Sequence, residues 1–104
     1  MLIIESLRHL CHDENIAMTK HANNRLRERG ISIEDVKHAI LKGEIIRQYE
    51  DDKPFPSCLV LGKAEDDEYI HVVASIDDNT LYIITTYHPD KTEWEPDLKT
   101  KRRS

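Results

Sequence analysis

The stretch Tyr69-Ile70-His71-Val72-Val73-Ala74-Ser75-Ile76-Asp77-Asp78-Asn79-Thr80-Leu81-Tyr82-Ile83-Ile84-Thr85-Thr86-Tyr87-His88 decides the fold. Two runs rich in β-branched and aromatic residues flank a turn cluster, which predicts strands Tyr69–Ile76 and Thr80–His88 joined as an antiparallel hairpin. With Asp78-Asn79 as a two-residue turn, residues whose numbers sum to 157 stand opposite each other. Ile70, Val72, Ala74 and Ile76 then share a core face with Leu81, Ile83, Thr85 and Tyr87. Tyr69, His71, Val73 and Ser75 share the other with Tyr82, Ile84, Thr86 and His88. A bulge or an odd loop would shift one strand by a residue and reverse its face.

Upstream, Glu44 to Tyr49 and Ser57 to Lys63 read as two further strands, separated by Glu50-Asp51-Asp52-Lys53-Pro54 and followed by the acidic turn Glu65 to Glu68. Strands this close in sequence pair as an antiparallel meander. Before Gly43 the period is helical. Thr19 suits an N-cap and Gly30 a C-terminal stop, and Ser32-Ile33-Glu34-Asp35 is a capping-box variant, so helices are expected over Thr19–Arg29 and Ile33–Lys42. Leu2 to Cys11 places Ile3, Leu7, Leu10 and Cys11 at helical spacing for a first short helix, and Ile16-Ala17-Met18 forms a brief extended stretch. The expected fold is α+β: N-terminal helices packed on one face of a single four-stranded antiparallel sheet. Residues 1–95 form one domain, with Trp94 folded back onto it, and 96–104 a basic C-terminal tail.

The chain has 104 residues, of which 38% are hydrophobic and 34% charged, enough for one modest core. No apolar run approaches the ~18 residues of a membrane span, and two cysteines are too few for a disulfide framework, so a cytoplasmic location without membrane contact is expected. Fifteen basic against twenty acidic residues give −5, which argues against a general coating of DNA. The charge is nonetheless polarised: residues 16–49 carry +3, residues 50–97 carry −10, and the tail from Leu98 carries +4. Such a chain either offers a basic face to phosphate or merely keeps its bases on helices and its acids in loops.

His21 and Arg25 stand at i and i+4 and project from one side of their helix. A neutral imidazole beside a fixed guanidinium suits a general base next to a phosphate clamp; the plainer reading is a surface histidine and an Arg25–Glu28 ion pair. His9 and His12 share a helical face, but Cys11 points elsewhere and no metal-binding motif is present, so neither metal nor cofactor is expected. The C-terminal Lys99-Thr100-Lys101-Arg102-Arg103 is either a frayed tail or an electrostatic tether for RNA.

The succession Thr19-Lys20-His21-Ala22-Asn23-Asn24-Arg25, Glu28-Arg29-Gly30-Ile31-Ser32 and Asp35-Val36, then Gly43-Glu44-Ile45-Ile46, Ile70-His71-Val72-Val73 and Ile83-Ile84-Thr85-Thr86-Tyr87, resembles the bacterial family called domain of unknown function 4258. That family is similar to RelE-like toxins of toxin–antitoxin pairs, whose fold is shared with barnase-type ribonucleases. The resemblance implies polar site positions at His21, Arg25, Arg29, His71, Thr85 and Tyr87. It also implies RNA or the ribosome as target and an antitoxin protein as partner. Two features depart from RelE-like toxins: the net negative charge, and the lack of Lys or Arg in Thr80 to His88. The function expected is metal-independent endoribonuclease chemistry. His21 or His71 would be base or acid, Arg25 and Arg29 the clamp with Thr85 beside them, and Tyr87 a proton donor or orienting hydroxyl. The alternative is a non-catalytic protein- or RNA-binding module of the same fold. The simple register sets Thr85 and Tyr87 opposite in facing to His71, so either the register is bulged or those two meet His21 and Arg25 between helix and sheet.

Overall fold

Helix boundaries follow the capping chemistry of the sequence. The computed structural model, which describes residues 1–103, contains α1 (Ile4–His9), β1 (Ile16–Ala17), α2 (Lys20–Glu28), α3 (Ile33–Lys42), β2 (Glu44–Tyr49), β3 (Ser57–Lys63), β4 (Tyr69–Asp77) and β5 (Thr80–Tyr87). Thr19 Oγ1 accepts from Ala22 N at 3.0 Å to start α2, and Gly30, at φ +68°, takes the left-handed conformation that closes it. Ser32 and Asp35 form a reciprocal capping box at the start of α3. α1 is shorter than the expected Leu2–Cys11. Leu2 gives its N–H and C=O to the Gln48 side chain, and Ile3 stays extended.

The sheet order is β1-β5-β4-β3-β2. It is five-stranded, not four-stranded and wholly antiparallel as expected. β2 to β5 are the expected meander, but Ile16 and Ala17 add a short parallel strand beside Leu81 and Tyr82. A two-residue strand carries no periodicity of its own. Its place is fixed by what flanks it, including Asn15 Nδ2 donating to Asn79 O at 2.9 Å across the β4–β5 turn.

One sheet face carries the core. Cys58, Val60, Ile70, Val72, Ala74, Leu81 and Ile83 pack with Leu26 of α2, Val36, Ala39 and Ile40 of α3, and Leu7 and Leu10 near α1. α3 lies against β3, where side chains are excluded: a Cβ on Gly62 would stand 2.4 Å from Ala39 O. Arg8 of α1 donates to Ile40 O at 3.1 Å and Gly43 O at 2.8 Å, satisfying carbonyls that the end of α3 leaves open.

The register contains the decisive departure. Pairs from Asp77–Thr80 to Ala74–Ile83 follow the expected sum of 157, but beyond them Val73 faces Thr85, Val72 faces Thr86 and His71 faces Tyr87. Ile84 is the extra residue of a β-bulge, and it is 46% exposed. The simple register would have put Thr85 and Tyr87 into the core. The bulge instead sends Thr86 inward and returns Thr85 and Tyr87 to the face of His71. The physical reason is size and polarity: the simple register would bury Tyr87 opposite Ile70, where its hydroxyl would need a buried partner.

Residues 90–102, which include most of the segment expected as a tail, fold back over that second face; Ser104 lies outside the described residues. Trp94 bridges Lys101, Glu95 N donates to Thr100 O and Arg102 N to Glu93 O, each at 2.8 Å. Among the described residues no helix is long and apolar enough to cross a membrane.

Candidate functional site

Three rows of side chains cross the second face of the sheet. One runs Glu44, Leu61, His71, Tyr87; the next runs Arg47, Leu59, Val73, Thr85; the third runs Tyr49, Ser57, Ser75, Tyr82. Bulges in β2, after Ile45, and in β5, after Ile83, bring the polar residues of those strands onto this face. His71 and Tyr87 are therefore direct cross-strand neighbours.

His71 is fully buried, at 0% exposure. Its Nε2 lies 2.8 Å from Leu98 O, a carbonyl that can only accept, so Nε2 carries the proton. Its Nδ1 lies 3.3 Å from Tyr87 Oη and accepts from that hydroxyl when the ring is neutral. Burial pulls the His71 pKa below the ordinary value, only partly offset by the bond to Leu98. The Trp94 ring stands edge-on at 4.6 Å between centroids, and the Tyr87 ring at 5.3 Å.

Tyr87 is half-buried over this histidine. Burial first, then the charges of Tyr49 and Glu93, raise its pKa, while Arg47 and Arg29 act in the opposite sense. Its hydroxyl accordingly stays protonated at neutral pH. The two guanidiniums approach from opposite sides. Arg47 stacks over Trp94 at 5.5 Å. Arg29, just past α2, donates to Thr86 O at 2.7 Å and lies 3.4 Å from Thr85 Oγ1. It can do so because β1 pairs β5 only at Leu81 and Tyr82, leaving the edge at Thr85 to Tyr87 open.

Of the six residues expected from sequence, four thus form two contacting pairs, Arg29 with Thr85 and His71 with Tyr87. His21 and Arg25 are exposed on α2 and touch neither His71 nor Tyr87 through a hydrogen bond. The ion pairs among the described residues do not include Arg25 with Glu28 either. His21, Arg25 and Arg29 nevertheless follow one another at four-residue steps, a single inclined row along α2 whose last member reaches the β5 edge.

Sequence reasoning missed Arg47, Tyr49 and Leu98. Arg47 and Tyr49 alternate along β2 as the only basic and the only aromatic residue of that strand, a signal that was present. Leu98 acts through its carbonyl, which no sequence pattern announces. No group of three or more His, Cys, Asp or Glu among the described residues could hold a metal ion. Cys58 is fully buried and its thiol is pushed up to about 11 by burial alone, so it is an inert core residue. A cavity of about 620 Å³ between α3 and the C-terminal segment, lined by Lys42, Lys63, Tyr69 and Lys99, also reaches Leu98 but none of the six residues expected from sequence.

The chain belongs to the DUF4258 family: the model of this domain of unknown function matches residues 18–88, from the start of α2 to the end of β5. No curated protein and no solved structure matches the chain.

Proposed function

We propose that the protein is a metal-independent endoribonuclease of the RelE-like kind, the toxin half of a bacterial toxin–antitoxin pair, acting through the second face of its sheet. The observation that carries this reading is the bulge at Ile84. It gathers Thr85 and Tyr87 beside His71 and Arg29, and it does so at a cost: Thr86 Oγ1 is buried with no hydrogen-bond partner among the described residues. An orphaned buried hydroxyl costs roughly 1–3 kcal/mol. A valine would fill the same place without it, so stability alone does not account for the arrangement.

In the reaction the ribose 2′-oxygen attacks the adjacent phosphorus as the 5′-oxygen leaves, and a 2′,3′-cyclic phosphate results. Tyr87, whose hydroxyl stays protonated, turns its one proton from His71 Nδ1 to the leaving 5′-oxygen. Arg29 and Arg47 offset the charge that grows on the phosphoryl oxygens. His71 holds the Tyr87 hydroxyl in place and is a positioning residue. His21, on the basic row that ends at Arg29, is the imidazole left to accept the 2′-hydroxyl proton, with Arg25 holding a neighbouring phosphate. An acidic antitoxin would cover this row.

A second reading has an observation of its own. Both ring nitrogens of His71 are engaged and the ring is sealed, which suits a non-catalytic RNA- or protein-binding module. The test is cleavage of RNA by the purified chain beside Tyr87→Phe and His21→Gln. The nuclease reading expects losses of about 10²-fold or more for each, with unchanged melting temperature for His21→Gln and a loss of about 1 kcal/mol of stability for Tyr87→Phe. RNA bound and left intact by the wild type would replace it with the second reading.

A further inference from the structure

We propose that residues 90–102 are an autoinhibitory strap, closed over the site in this structure and released by its own cooperative local unfolding to admit RNA. The inference rests on the site reading given above and adds its regulation.

Two groups of the site, His71 and Arg47, are occupied by this one segment. Leu98 O takes the Nε2 proton of His71, Trp94 covers the ring edge-on, and the face of Trp94 holds the Arg47 guanidinium. The strap also brings Glu93 to where its charge acts on the Tyr87 hydroxyl, between the opposing influences of Arg47 and Arg29. A carboxylate in that position competes for the cations a phosphate would use.

The strap is tight within itself and lightly held by the sheet. Internally, Arg102 bonds Glu93 O, Lys91 O and the Glu95 carboxylate, and Asp97 Oδ1 accepts from Lys99 N and Thr100 N. Externally it has no strand pairing with the sheet. It is moored by Trp94, which is 4% exposed, by the His71–Leu98 hydrogen bond, and by an exposed Lys99–Glu44 ion pair. Leu98, whose carbonyl makes the closing contact, sits at φ +60°, a left-handed conformation unfavourable to leucine that opening relieves. A unit with many local bonds and few moorings opens below the free energy of global unfolding. The family match ends at residue 88, where β5 has just finished. The cover therefore lies outside the part of the chain that carries the site.

Hydrogen exchange on the intact chain tests the proposal. The bonded amides of Glu95, Leu98 and Arg102 should exchange through a sub-global opening insensitive to low denaturant, while amides of β3 and β4 exchange only through global unfolding. Equal denaturant dependence in strap and sheet overturns the proposal. A site available only in the open fraction binds more weakly by that fraction. Trp94→Ala should therefore tighten binding of a short oligouridylate by the closed-to-open ratio that exchange gives for the wild type. Asp97→Ala, an exposed change that frays the strap without touching the core, should move affinity the same way. Oligouridylate bound by the wild type but no more tightly by either variant overturns the strap. Oligouridylate bound by none of the three defeats the RNA reading alone, and the exchange result then decides the strap.

Discussion

Lowering the pH should destabilise the protein through His71 before any carboxylate is titrated. The ring is sealed at 0% exposure and its pKa lies below the ordinary 6.5 because burial disfavours the imidazolium. The unfolded chain therefore binds a proton at this residue in a range where the folded chain does not. Its contribution is complete above about pH 6.5 and is lost progressively as pH falls from there toward the folded-state value. The slope cannot exceed about 1.4 kcal/mol per pH unit for one proton. Asp90 and Asp97, held low by hydrogen bonds from Thr92 and from Lys99 and Thr100, lose their contributions only below their ordinary 3.8. The two effects fall in separate windows. The assay is urea unfolding at a series of pH values between 4.5 and 7.5, followed by far-ultraviolet circular dichroism of the helices and sheet. The control is His71→Phe, which keeps a ring against Trp94 and cannot titrate. It gives up the bonds to Leu98 and Tyr87, at about 1 kcal/mol each. Wild type minus variant should show stability falling toward acid. A flat difference, or one that rises toward acid, would refute the argument that a neutral imidazole is locked beneath the C-terminal segment.

Two further outcomes concern the bulge. Thr86→Val should stabilise the protein by about 1–2 kcal/mol in the same urea assay, because it removes a buried hydroxyl with no partner; a loss of stability would mean that the hydroxyl is bonded. Deleting Ile84 removes only the extra residue, so His71 should still face Tyr87. Nuclear Overhauser contacts between the two rings should survive at a cost below about 1 kcal/mol, since the lost side chain is half exposed.

What the sequence disclosed divides along a physical line. Thr19, Gly30, Ser32 and Asp35 are local chemistry: each acts on atoms within a few residues, and the helices begin and end where those residues require. The four strands of the meander were legible for the same reason, since alternation and turn residues lie within one short window. The bulge was legible only as one of two alternatives, because residues 83–86 read Ile-Ile-Thr-Thr, a run with no alternation to mark the slip. The choice between registers is made across the sheet, by whether Tyr87 is buried opposite Ile70 or set beside His71. β1 and the cover over His71 escaped for a related reason. Their partners are sixty-five and twenty-seven residues away, Ile16 to Leu81 and His71 to Leu98, and in both cases the recognised group is backbone.

The charge distribution acquires a different meaning once the segment 90–102 is placed. The acids responsible for the −10 of residues 50–97 sit largely in the loops at the strand ends: Glu50 to Asp52, Glu65 to Glu68, and Asp77 with Asp78. From Arg47 to Glu50 along an extended chain is roughly 10 Å, already about one screening length at physiological salt. Net charge therefore says little about the field above the row Arg47, Leu59, Val73, Thr85. The acid that acts on Tyr87 is Glu93, and it arrives with the C-terminal segment. Residues 90–102 carry four acids and four bases, so the segment as a whole adds no net charge; its effect is local, Glu93 acting on the Tyr87 hydroxyl and Trp94 lying against Arg47. Opening it withdraws both contacts without any change in the protonation of the residues beneath it.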